Sequence, residues 1–122
     1  MTYAYLDNFL GKHGERIVPS IRATRVWRNI DGPGAVRPHH DIAVRYHSTD
    51  VVVAHQNGTF TLNSGGYRTA TTKERIKTYS PARLFQHKGQ WLIRQNKPIS
   101  HEHYDVPFYD GMRIDAAGNV LE

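Results

Sequence analysis

The residues best placed by type and spacing to do chemistry lie between positions 60 and 76, FTLNSGGYRTATTKERI. Gly65-Gly66 lets the backbone turn through conformations that a β-carbon forbids, so at least one of the pair is expected to have a positive φ. Thr71 and Glu74 stand at the spacing of a capping box, which predicts a helix starting at Thr72. Lys73, Arg75 and Lys77 then fall in its first turns. Unpaired amide groups at a helix start, with basic side chains beside them, make a seat for a phosphate or a carboxylate. Tyr67, between Gly66 and Arg68, is the ring expected to be exposed and free to stack on a base. Gly65, Gly66, Tyr67, Arg68, Lys73, Arg75 and Lys77 are therefore the candidate anion- and nucleic-acid-binding set. Basic residues also interleave with aromatics at Arg22, Arg25 and Arg28 around Trp27, and near Tyr79, Arg83 and Phe85.

Other chemistries have thinner support. His101, His103 and Asp105 fall on one side of an extended chain, a start towards a three-ligand set for zinc, manganese or iron, to which His39-His40-Asp41 could add. Such pairs of histidines in surface segments are more often solvated, and no metal or other cofactor is expected. Asp105 and Asp110, beside Tyr104, Phe108 and Tyr109, could do acid–base work, but turn and capping roles are commoner for such carboxylates. No Gly-x-Ser-x-Gly elbow, phosphate-binding loop or dinucleotide fingerprint occurs. The reading is non-catalytic, with no catalytic residue assigned.

The 122 residues fit one domain, 1–122, long enough to bury a core without staples. There is no cysteine, which excludes a disulfide framework and thiolate metal sites. No apolar run approaches the roughly 20 residues of a membrane span, so a soluble intracellular location is expected. Net charge is +5, unevenly spread. Residues 1–100 hold 15 Lys plus Arg against 6 Asp plus Glu, and residues 101–122 hold 1 against 5. A basic body with an acidic end suits an anionic partner, or an acidic end that lies on the body and masks it.

The elements that must position these residues follow from periodicity. Residues 2–13 read as a helix with Tyr5, Leu6, Phe9 and Leu10 on its apolar face. Residues 20–30 stay open: three arginines at every third position suit a helix, whereas Thr24, Val26 and Trp27 suit a strand. Asp31-Gly32-Pro33-Gly34 is a loop, continued by residues 37–41, and divides an N-terminal segment, 1–34, from a β-rich module, 35–122. Strands follow at 42–47, 51–55 and 59–62, the last two joined at Asn57-Gly58. Residues 84–86 and 90–93 pair across Lys88-Gly89, with Phe85, Trp91 and Ile93 offered to a core. Residues 111–121 read as a hairpin around Asp115-Ala116-Ala117-Gly118. The acidic end is thus structural, with Tyr104, Phe108, Tyr109 and Met112 in the core. The fold class is α+β: a small antiparallel sheet with an N-terminal helix and one short helix packed on it.

Three stretches carry a resemblance: residues 46–52, residues 57–76 and residues 86–92. Together they resemble a recurrent module of small proteins encoded by tailed bacteriophages. Pro107-Phe108-Tyr109-Asp110-Gly111-Met112 is similar to a segment that follows it in some of them. The resemblance leaves residues 1 to about 40 unmatched; it implies a phage origin and carries no activity over. Together these observations predict a small phage accessory protein that binds an anionic partner, most simply nucleic acid. The rivals are a virion component or inhibitor of host defence working through phage or host protein contacts, and a sponge for a nucleotide signal. A homo-oligomer is compatible with any of them.

Overall fold

The structure, a computed structural model, describes residues 3–10, 15–18, 21–28, 39–96 and 103–121. Among these the order is α1 (Tyr3–Leu10), β1 (Glu15–Val18), β2 (Ile21–Arg28), β3 (His39–Tyr46), β4 (Thr49–Ala54), β5 (Phe60–Leu62), α2 (Ala70–Tyr79), β6 (Leu84–His87), β7 (Gln90–Asn96), β8 (His103–Pro107) and β9 (Met112–Ile114). The α+β expectation holds, with the strands shared between two antiparallel sheets. One has the order β1-β2-β3-β4-β5-β9 and the other β6-β7-β8. The loop expected at 31–34 lies outside the described residues.

One core is formed from both sheets and both helices. In the larger sheet, alternation buries Ile42 and Val44 of β3, Val52 and Ala54 of β4, Phe60 and Leu62 of β5, and Met112 and Ile114 of β9 on one face. Leu6 and Leu10 of α1, Ile76 of α2 and Trp91 and Ile93 of β7 join the same cluster. Trp91 meets Phe108 with tilted rings whose centres are 5.4 Å apart, a favoured aromatic geometry. Arg83 ties the second sheet to the turn after β9, donating to the carbonyls of Arg94 and Ala117 and to the side-chain oxygen of Asn119.

Several expectations are corrected. Within the segment left open at 20–30, the described residues 21–28 are a strand, because β2 is hydrogen-bonded on both sides, to β1 and β3. β3 begins at His39, three residues before the expected start, because His39 and His40 pair with Arg28 and Trp27. Phe85 is half-buried, not core: Leu84 and Gln86 share the face of Ile93 and Trp91, and Phe85 lies under the Arg94 guanidinium, 4.9 Å from its ring centre. Of the aromatics assigned to the core at the acidic end, Phe108 is buried with Met112, while Tyr104 and Tyr109 are 51% and 50% exposed.

The hairpins follow their turn residues. Gly58 and Gly118 both have φ near +90°, each donating to the carbonyl three residues back, of His55 and Asp115 respectively. This is a type I turn closed by a left-handed glycine. Lys88 (φ 50°) and Gly89 (φ 79°) form the tight β6–β7 turn.

Candidate functional site

Two polar regions stand out, joined by β5. The first is the turn that leads from β5 to α2. Gly65 and Gly66 both have positive φ, 65° and 83°, as expected. Tyr67 N–H closes the turn on the Ser64 carbonyl at 3.1 Å. Asn63 Oδ1 accepts from Gly65 N–H at 2.7 Å. Gly65 also lies so close to Thr49 that any β-carbon there would collide with its hydroxyl. Asp110, from the acidic end, holds the turn from outside: its Oδ1 accepts from the Ser64 amide at 2.8 Å and from the Ser64 hydroxyl at 2.7 Å. Burial by itself would raise the Asp110 pKa. The Ser64 amide and hydroxyl, the Arg68 charge and the Gly66 amide outweigh it and hold the carboxyl below its ordinary value.

The helix start is corrected. α2 begins at Ala70, with Thr69 as its cap: Thr69 is extended and its hydroxyl accepts from Thr72 N–H at 3.2 Å. Thr71 and Glu74 therefore lie inside the helix, and no capping box forms between them. The preceding glycines force the chain to enter the helix earlier, and Thr69 serves the orphan amides as well as Thr71 could.

A cleft of about 360 Å³ opens beside this helix start. Tyr46, His47 and Thr49 of the β3–β4 turn form one wall, and Ser64, Tyr67, Thr69 and Thr72 the other. Tyr67 is 68% exposed. The basic members of the candidate set fan out from it. Arg68 lies over the rings of Phe108 and Trp91, 5.1 and 5.7 Å from their centres. Lys73 reaches Gln86 Oε1 at 3.5 Å. Arg75 stacks on Tyr46 at 5.8 Å, its Nε buried with no hydrogen-bond partner. Lys77 sits in the last turn of α2, 3.6 Å from Glu74. The structure thus brings Gly65, Gly66, Tyr67 and Arg68 together and sends Lys73, Arg75 and Lys77 in separate directions. Arg83 is spent on internal hydrogen bonds.

The second region was not assembled by sequence reasoning. Asp41 of β3 is 1% exposed, and its Oδ2 lies 2.9 Å from His55 Nδ1. The other ring nitrogen, His55 Nε2, lies 2.7 Å from the Thr61 hydroxyl of β5. Asp41 Oδ1 also accepts from the Gln56 amide. With the carboxylate ionised and the ring neutral, Nδ1–H donates to Asp41, Nε2 is the acceptor and Thr61 O–H donates to it. Asn57-Gly58 placed His55 and Thr61 in one hairpin. The partner strand and its register, with a shift between Val44 and Arg45, had no local signal.

Of the candidate metal ligands His101, His103 and Asp105, only the Asp105 side chain is among the described residues. Asp105 faces Arg94 at 3.3 Å, directly across the β7–β8 pair. Asp41 is engaged by His55, the side chain of His103 is not described, and His101 lies outside the described residues. Among the described residues no group of three or more His, Asp or Glu could hold a metal.

The family model described as Kyanoviridae Gp96 protein matches residues 12–115. The chain belongs to that family. It is therefore a phage protein, and the match reaches into the N-terminal part that the sequence resemblance left uncovered. No curated protein and no solved structure matches the chain. Among the described residues no helix of this Gp96-family chain is long and apolar enough to cross a membrane.

Proposed function

We propose that this phage protein binds an anionic partner, most simply nucleic acid, through the surface around the Ser64–Thr69 turn, without transforming that partner. The carrying observation is Tyr67: a largely exposed ring beside Arg68, held on a turn fixed by Asp110, Asn63 and the close approach of Thr49. Stacking on an exposed ring tolerates any base, and nearby cations neutralise phosphates without reading sequence. The host cytoplasm is the place such an accessory protein would act. Binding to a labelled single strand should fall steeply as salt rises from about 50 to 200 mM. Tyr67→Ala should weaken it by roughly 1–3 kcal/mol at unchanged melting temperature. No detectable binding to any single strand or duplex at low salt would end this reading.

A second reading is favoured by the cleft. At about 360 Å³ it falls in the size range of small-ligand sites, roughly 300–1,000 Å³. In that reading, Tyr46 and Tyr67 flank a base, and the protein acts as a nucleotide sponge. Calorimetry with mononucleotides separates the two, since a sponge binds the free nucleotide with one-to-one stoichiometry and gains nothing from chain length.

A further inference from the structure

We propose that Asp41, His55 and Thr61 form a nucleophilic triad, with Thr61 as an acyl acceptor in the hydrolysis of small carboxylic esters. None of the three lines the cleft, and the proposal does not rest on the nucleic-acid reading. Three features carry it. The Thr61 hydroxyl is 2.7 Å from a ring nitrogen that accepts its proton when the ring is neutral, and the opposite ring nitrogen is 2.9 Å from a buried carboxylate. That is the nucleophile–base–orienter order that activates a hydroxyl. Second, the site is not sealed: His55 keeps 15% of its side-chain surface and Thr61 is half-buried. Third, Arg113 is the direct partner of Thr61 across β5 and β9, so both lie on the same sheet face, and Arg113 is exposed. A cation beside the nucleophile is suited to the negative charge that develops on an acyl oxygen.

In the first step Thr61 Oγ bonds to the carbonyl carbon, its proton passes to His55 Nε2, and the carbonyl π pair moves onto oxygen, facing Arg113. Collapse of this intermediate breaks the bond to the leaving alkoxide, which takes the proton from His55 and departs as the alcohol. Water then repeats the sequence, giving its proton to His55, and releases the carboxylic acid with Thr61 restored. Ester and water become acid and alcohol, and no further reactant is needed. Asp41 acts through His55 as a positioning residue, holding the ring in the tautomer that leaves Nε2 free to accept.

The same hydrogen bonds could serve only to clamp the β4–β5 hairpin to β3, and the test separates the roles. The full chain is incubated with p-nitrophenyl acetate and the acetylated residue is located by peptide mass spectrometry, with nitrophenolate release followed in parallel. The expected result is an acetyl group on Thr61. Thr61→Val, nearly isosteric, should lose it while keeping a cooperative urea transition, and Thr61→Ser should keep it. His55→Ala, or Asp41→Asn where the variant folds, should slow acetylation by about 100-fold or more, and Arg113→Gln should slow it at unchanged stability. Acetylation confined to lysines, or nitrophenolate release equal in Thr61→Val and wild type, overturns the proposal and leaves a structural clamp.

Discussion

The turn at Ser64–Thr69 and the Asp41–His55–Thr61 cluster are both polar, and β5 runs from one to the other, but they are built in opposite ways. The turn is mostly local: Asn63 to Gly65, Ser64 to Tyr67 and Thr69 to Thr72 are contacts two or three residues apart. Of its basic neighbours, Arg68 and Lys77 are exposed and Lys73 and Arg75 half-buried, and they spread apart. The cluster joins three strand regions, 14 residues apart between Asp41 and His55, and its carboxylate is buried. Surface charges gain little from any one partner, whereas a buried carboxylate depends on each of its hydrogen bonds. Substitution should therefore alter binding at the turn and stability, or chemistry, at the cluster.

The largest expected effect breaks the contrast, because the turn also depends on the far end of the chain. Removing residues 101–122 takes away β9, the partner of β5, together with Asp110 and the buried Phe108, Met112 and Ile114. Burial of three such side chains contributes roughly 5–8 kcal/mol, comparable with the whole stability of a small domain. The truncated chain should lose its cooperative urea transition. Removal of charge masking alone would instead leave it folded with tighter polyanion binding.

Next comes Asp41→Ala, which strands the His55 ring and the Gln56 amide in a part-buried site. It should cost about 3 kcal/mol in urea unfolding. A cost below about 0.5 kcal/mol would place the cluster with ordinary surface polar groups.

The two glycines divide the turn more finely. Gly65→Ala combines a left-handed φ with collision against Thr49 and should cost about 2 kcal/mol or more; Gly66→Ala has open space and should cost about 1 kcal/mol. Equal costs would show that Thr49 gives way freely.

The smallest effect is a pH dependence. The folded Asp110 pKa is depressed, so its contribution is fully present above the ordinary carboxylate value of 3.8 and is lost as pH falls through the lower folded value. In Asp110→Asn the difference in stability from wild type should be constant from pH 7 down to about 5 and shrink on further acidification. A difference that stays constant to the lowest pH at which both fold would remove the ionised carboxylate from the account of the turn.

The chain's own residues determined what rests on backbone geometry and short separations. The paired glycines demanded left-handed φ, Asn57-Gly58 and Asp115–Gly118 set hairpins, and alternation chose Phe60 and Leu62 for the core, because these preferences act within a few residues. Local signals also misplaced what neighbours decide. Thr71 with Glu74 had the spacing of a cap, yet Thr69 takes that role because the turn delivers the chain to it. Phe85 had the hydrophobicity of a core residue, yet Leu84 takes the core face opposite Ile93 because the Lys88-Gly89 turn sets the register. Only the tertiary structure decided that residues 21–28 are a strand, since its hydrogen bonds run sideways to β1 and β3. It also brought Asp41 to His55, because strand order and a register shift near Val44 leave no mark on local spacing.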